Sequence, residues 1–227
     1  MNNNLDLFTL STNPEYFIDR MFETKDRTAL KMYLNWSIMC EKKLFINYQR
    51  RFGLCQTIGA KHIFDIGCGL RHYQAYMLLL HHDLHYTGID SELDPEEMNY
   101  AFSVGFPGRV KFIRDKYPCQ LTIPENNIAI AAYIGGCKSF DDPQIINFAD
   151  ALSQDFDRII TNYGVMQCSY DELYEFWANA LPGYSVCKLG EEDLIFATRI
   201  PHDLEVLQAS NYKYTDEKFG IKCLGLC

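Results

Sequence analysis

The residues whose types and spacing carry chemistry are Asp65, Gly67 and Gly69, which lie in the run Asp-Ile-Gly-Cys-Gly, together with Asp90. An apolar stretch over 61–66 runs into the glycines, a helical pattern follows, and a second apolar stretch over 85–89 ends on Asp90. Glycine has no Cβ, so the backbone at Gly67 and Gly69 can approach a ligand that a side chain would push away. A carboxylate at the end of the second strand can accept both hydroxyl protons of a ribose, and bonds to a charged acceptor are stronger than neutral ones. Strand, glycine loop, helix, strand and acid form the layout of a nucleoside-binding βαβ unit.

Further groups sit where strand ends would open onto the same crevice. Tyr133, Asn162, Tyr163 and His72 offer phenol, amide and imidazole groups, and we take them as the candidate catalytic residues. Cys68 lies inside the glycine loop and reads as a packing residue with its backbone against the ligand. The nine cysteines are scattered, several of them inside apolar runs, and read as small buried hydrophobes. The closing Cys223 and Cys227 lack C-x-x-C spacing and have no second pair nearby, so no metal or redox site is assigned to them. His81, His82 and His85 straddle a helix end and a strand start, cannot share one helical face, and read as loop histidines; no metal is expected.

The elements that must position these groups follow from periodicity. Residues 13–53 read as helices, entered at Asn13-Pro14 and continued by an amphipathic stretch from about Thr24 that ends in Lys42, Lys43, Arg50 and Arg51. After Gly59 short strands alternate with helices. Strands are predicted over 61–66, 85–89, 109–113, 128–134 and 158–161, and helices over 71–80, 95–104, 143–152 and 170–181. The stretch 128–134 is apolar without periodicity, as a central parallel strand should be. Strands over 184–188 and 194–199 are joined by a short turn, so the last must run antiparallel. The tail from Pro201 is polar, and an irregular surface excursion is expected there. The prediction is a Rossmann-like α/β fold: a seven-stranded, mostly parallel sheet with an antiparallel last strand, plus an N-terminal helical cap. A dinucleotide-binding sheet has no such closing hairpin.

Composition narrows the partners. With 227 residues, 48% hydrophobic and 22% charged, the chain has enough apolar material for one core of ordinary size. The formal charge of −9 makes nucleic acid an unlikely partner, because phosphate binding wants a basic face. No apolar run approaches membrane-spanning length and the N-terminus is polar, so no membrane contact and a cytoplasmic location are the expectations. A homodimer is one of the oligomeric states left open.

At this point residues 55–200 resemble the class I S-adenosylmethionine-dependent methyltransferases. The residues that carry the likeness are Asp65, Gly67 and Gly69, then Asp90, Arg114 and Asp115, and the closing Gly183-Tyr and Phe196-Ala-Thr. The family pattern has a third glycine where this chain has Arg71, and His72 stands where an NAD-type loop would need glycine or alanine. The resemblance implies S-adenosylmethionine as cofactor, S-adenosylhomocysteine as product and a small-molecule acceptor. It places Gly67, Cys68 and Gly69 along the methionine and ribose portion. Asp65 would orient the loop or meet the methionine amino group, and Asp90 with Ser91 would hold the ribose. Asp115 would lie at the adenine edge or else serve as a turn residue. Tyr133 and Ile134, before Gly135-Gly136, would face the sulfonium and acceptor, unless the glycine pair is only a tight turn. It implies a helical cap at 1–54, a cofactor-binding domain at 55–200 and a tail at 201–227 packed on or near the core. Two other readings share the fold: an aminocarboxypropyl transferase similar to nicotianamine synthase, using the same donor, and a non-catalytic partner subunit.

Overall fold

The computed structural model describes residues 51–69, 79, 83–93, 95–96, 99, 106–132, 134–189 and 194–209. Strands β1 (His62–Ile66), β2 (His85–Ile89), β3 (Val110–Ile113), β4 (Asn127–Ala131) and β6 (Arg158–Thr161) run parallel, and β9 (Ile195–Thr198) pairs antiparallel with both β6 and β8 (Ser185–Lys188). The order β3-β2-β1-β4-β6-β9-β8 makes one seven-stranded sheet. Its strand order reverses at β1, where β2 lies on one side and β4 on the other.

Side-chain alternation sends each strand into two cores, as a sheet covered on both faces requires. Ile63, Ile128, Ile130, Ile160 and Phe196 face one side, where Phe52, Leu54 and Cys55 of the helical stretch 51–57 cover them. Phe64, Ile66, Ala129, Ala131, Ile159 and Ile195 face the other. There they meet helices α1 (Pro143–Asp155) and α2 (Tyr170–Ala180), through Ile145, Phe148, Leu152, Leu173 and Trp177. Both helices begin where the sequence caps them. The Asp142 carboxylate accepts from the Gln144 N–H ahead of Pro143, and Ser169 and Glu172 form a reciprocal capping box.

The predicted strands and the antiparallel closing strand are present, with ends shifted by a residue or a few. Two expectations are corrected. The strand predicted over 128–134 leaves the sheet after Ala131; Gly136–Cys137 (β5) instead pairs with Gly164–Val165 (β7) as a separate two-stranded parallel sheet. Gly135 turns the chain with φ +105, and a Cβ on Gly136 would stand 3.1 Å from the Gly164 carbonyl oxygen. The tail is not irregular where it begins, because Pro201–Ala209 forms helix α3. Its inward residue is Asp203, which is 2% exposed and takes Arg158 in a two-pronged ion pair, Nε to Oδ2 at 2.7 Å and Nη2 to Oδ1 at 2.9 Å. Thr198 Oγ1 donates to the same carboxylate at 2.6 Å. Leu204 and Leu207, one turn apart, also pack against the core, but in a nine-residue helix whose most buried residue is a charge the apolar stripe is too short for periodicity to find. The N-terminal helices, the cap at 1–54 apart from its last residues, and most of the helix predicted over 71–80 lie outside the described residues. No helix among the described residues is long and apolar enough to cross a membrane.

Candidate functional site

The carboxyl ends of β1, β2 and β4 meet at the point where strand order reverses, which in open α/β sheets is where ligands bind. The loop after β1 folds back onto β2: the N–H groups of Gly67 and Cys68 donate to the Ile89 carbonyl at 2.8 and 3.3 Å. Gly67 and Gly69 have φ of +69 and +54, a region that costs any L side chain. At Gly67 a Cβ would also stand 2.2 Å from Ile134 Cγ2, so the close approach this glycine allows is to the chain after β4.

Asp90 follows β2 directly, its own N–H donating to the Ile113 carbonyl at 3.2 Å. Its Oδ2 accepts from the Gly69 N–H at 2.9 Å and its Oδ1 from the Glu92 N–H at 2.8 Å. A carboxylate offers about four lone-pair positions. The two backbone donors fix its plane and leave capacity for two hydroxyl protons.

The other expected cofactor residues divide. Asp65 is 3% exposed, shares the face of Ile63, and accepts from the Tyr86 hydroxyl at 2.7 Å. The carboxylate is held in the interior by a phenol of the neighbouring strand. Cys68 is buried with its sulfur against Gly88, where a Cβ would lie 3.0 Å from Sγ, so it packs. Ser91 is exposed and its carbonyl accepts from Arg114 Nε at 3.3 Å, which ties the loop after β2 to the loop after β3. Asp115 is exposed and accepts from the Lys116 N–H at 2.7 Å, a local turn bond. Ile134 buttresses Gly67. Tyr133 and His72 lie outside the described residues.

Beyond β4 and β6 a hydrogen-bond chain builds the neighbouring floor. Thr161 Oγ1 donates to the Ala131 carbonyl at 2.9 Å and accepts from the Tyr163 N–H at 3.0 Å. Trp177 Nε1 donates to the Tyr163 carbonyl at 2.9 Å, and the Tyr163 hydroxyl meets Cys137 Sγ at 3.0 Å. Tyr163, expected as a catalytic phenol, therefore turns its hydroxyl inward. Burial, and then the Cys137 contact, push its pKa up, so it stays a neutral phenol at physiological pH. Asn162 is held between the two pinned residues, half-buried at the end of β6. Sequence reasoning passed over the hydrogen-bonding role of Thr161 and the small β5–β7 sheet. The only signal for the last was the recurrence of glycine at Gly135, Gly136 and Gly164.

A seven-stranded sheet in this order, with one antiparallel strand set between two parallel ones, is the class I methyltransferase fold. No protein-family profile matches the chain, and no curated protein matches its sequence. Solved structures do match. Magnesium protoporphyrin IX methyltransferase of Synechocystis PCC 6803 with bound S-adenosylmethionine is 14% identical, with a TM-score of 0.53 over 88% of this chain and 100% of that one. The O-methyltransferase of neocarzinostatin biosynthesis, in complex with S-adenosylhomocysteine and 1,4-dihydroxy-2-naphthoic acid, is 14% identical, with a TM-score of 0.51 over 84% of this chain and 60% of that one. Human N-acetylserotonin methyltransferase in complex with S-adenosylmethionine is 14% identical, with a TM-score of 0.50 over 86% of this chain and 62% of that one. The chain spans 48–62% of the length of several such structures. At these identities the likeness shows the fold.

Proposed function

We propose that this protein is an S-adenosylmethionine-dependent methyltransferase acting on a small molecule. The observation that carries the reading is Asp90, whose two oxygens are set by the N–H groups of Gly69 and Glu92 at the reversal point of the sheet. When bound, S-adenosylmethionine supplies a methyl group whose carbon–sulfur bond breaks, the electron pair passing to sulfur, as a lone pair of the acceptor forms the new bond. Asp90 orients the nucleoside through its free lone pairs. Asp65 orients the glycine loop from the end of β1, and Ile134 packs against it at Gly67. Asn162 offers an amide to the acceptor at the end of β6. No buried base is required, because a hydroxyl acceptor can pass its proton to water. Positioning alone can supply about 7–11 kcal/mol.

The naphthoic acid and porphyrin acceptors named for matched structures agree with a ring-bearing acceptor. Calorimetry on the full chain tests the reading. S-adenosylmethionine and S-adenosylhomocysteine should bind and NAD should not; binding of NAD alone would sink it. During turnover S-adenosylhomocysteine should accumulate. Methylthioadenosine in its place would identify transfer of the aminocarboxypropyl group.

A further inference from the structure

We propose that Thr161 is a positioning residue for the cofactor: its hydroxyl fixes the chain that leaves β4, and that chain sets the glycine loop through the contact of Ile134 with Gly67. The inference rests on the methyltransferase reading and extends its site to a fully buried residue of β6. Strands β4 and β6 run as neighbours up to the pair Ala131–Thr161, and their chains meet again at the pair Gly136–Gly164. Between those two pairs the β4 side takes five residue steps and the β6 side three. Unequal paths between paired ends cannot lie side by side, so the longer one must bow outward. Ile134 lies in that bow and packs against Gly67, where a Cβ would stand 2.2 Å from its Cγ2. The strand that carries the glycine loop, β1, flanks β4 on the side away from β6, so the bow runs toward the loop.

One hydroxyl shapes both ends of the bow. Thr161 Oγ1 donates to the Ala131 carbonyl at 2.9 Å, where β4 leaves the sheet. It also accepts from the Tyr163 N–H at 3.0 Å, one residue before Gly164 pairs with Gly136. Because Thr161 is buried, a side chain without the hydroxyl takes a partner from both backbone groups away from water. On the far side of the bow, the Gly67 N–H donates to the Ile89 carbonyl at 2.8 Å and the Gly69 N–H to Asp90 Oδ2 at 2.9 Å. A shift at Gly67 therefore carries to the carboxylate that orients the nucleoside. Each link from Thr161 to Asp90 is a covalent step, a hydrogen bond or a packed contact, and its reality is a matter of measured coupling.

The test is calorimetry of S-adenosylhomocysteine with the full chain and its variants. T161V should weaken binding about fivefold, the size of one neutral hydrogen bond, and I134A should weaken it by a similar factor. T161V/I134A should bind no more weakly than I134A alone, since the hydroxyl acts through that side chain. T161S keeps both bonds and should match wild type. T198V removes a buried hydroxyl bond at the amino end of the sheet; it should lower the urea midpoint and leave the Kd unchanged. The inference is overturned if T161V or I134A leaves the Kd unchanged, if their losses multiply in the double variant, or if T161S fails to restore binding. It is also overturned if T198V weakens binding as T161V does, which would make the loss one of general stability. Where T161V does not fold, T161C takes its place, because a thiol keeps both bonds in weakened form, and the same outcomes decide. Failure of S-adenosylhomocysteine to bind wild type would instead strike the methyltransferase reading itself, and this inference with it.

Discussion

At the carboxyl ends of the strands the chain is held mostly by its own backbone: N–H groups of Gly67, Cys68, Gly69 and Glu92 grip Ile89 and Asp90. At the amino ends side chains hold side chains. Arg158 grips Asp203, Thr198 donates to the same carboxylate, and His62 bonds Thr87 at 2.8 Å. There the Arg158–Asp203 pair is buried, and Asp203 takes three bonds from protein groups, against two at Asp90. The carboxyl end leaves a half-buried carboxylate with capacity to accept more. A binding crevice and a structural clamp can thus be told apart by how much hydrogen-bonding capacity each leaves open.

The amino-end clamp should give the largest effect when broken. R158M leaves Asp203 buried and unpaired, and removing one partner of a buried pair costs about 3–5 kcal/mol. Urea unfolding should show that loss, and R158M/D203L should recover most of it, since apolar groups can replace a buried pair at little cost. If R158M is neutral, the clamp does not hold α3. The matching break at the other end is D90A. Two charge-assisted bonds to a ribose disappear, and S-adenosylhomocysteine affinity should fall about 100-fold, while the urea midpoint stays nearly unchanged because the lost partners are backbone groups near water. A large stability loss with intact affinity would reverse the roles assigned to the two ends.

Gly67→Ala sharpens the comparison further, because it probes structure inside the binding end. The added Cβ meets Ile134 Cγ2 at 2.2 Å and the residue must hold φ +69, which together should cost about 2 kcal/mol. Paired with I134A, the 2.2 Å clash is removed, leaving a tight 3.1 Å approach to the remaining Cβ and the φ cost. The double variant should therefore lose less than the sum of the single ones, a coupling that a double-mutant cycle measures directly. Strict additivity would mean that Ile134 does not buttress the loop.

These contrasts also explain how much could be read from sequence. The strands over 85–89 and 158–161 coincide with β2 and β6, and the hairpin gave the antiparallel strand, because buried strands need apolar runs of definite length. Gly67, Gly69 and Asp90 were legible because backbone chemistry at φ above zero and a strand-end acid leave few residue choices. The clamp was not, since Arg158 and Asp203 are far apart in sequence and neither breaks a local pattern. The direction of Tyr163 was not legible for a related reason: its residue type suits catalysis, but its hydroxyl meets Cys137 and its carbonyl meets Trp177, both on other elements. The small sheet escaped because two-residue strands carry no period.

The smallest effect is a pH dependence at the amino end. His62 is partly buried, stacked on Phe64 and beside His85, and burial followed by the His85 charge lowers its pKa from 6.5 to about 4. The folded protein thus keeps the ring neutral down to about pH 4, whereas the unfolded chain takes up a proton near pH 6.5. Between those values the unfolded state binds more protons, so stability falls as pH drops from 6.5 towards 4 and this contribution is then fully lost. His62→Gln keeps a bond to Thr87 but cannot titrate. Chemical unfolding of both proteins at pH 7.5 and pH 5 should show wild type losing more stability than H62Q over that step. His85 remains in both, which isolates the buried ring. Equal losses would place the acid sensitivity elsewhere, and a steeper loss in H62Q would mean that the imidazole gains a proton on folding, contrary to its burial.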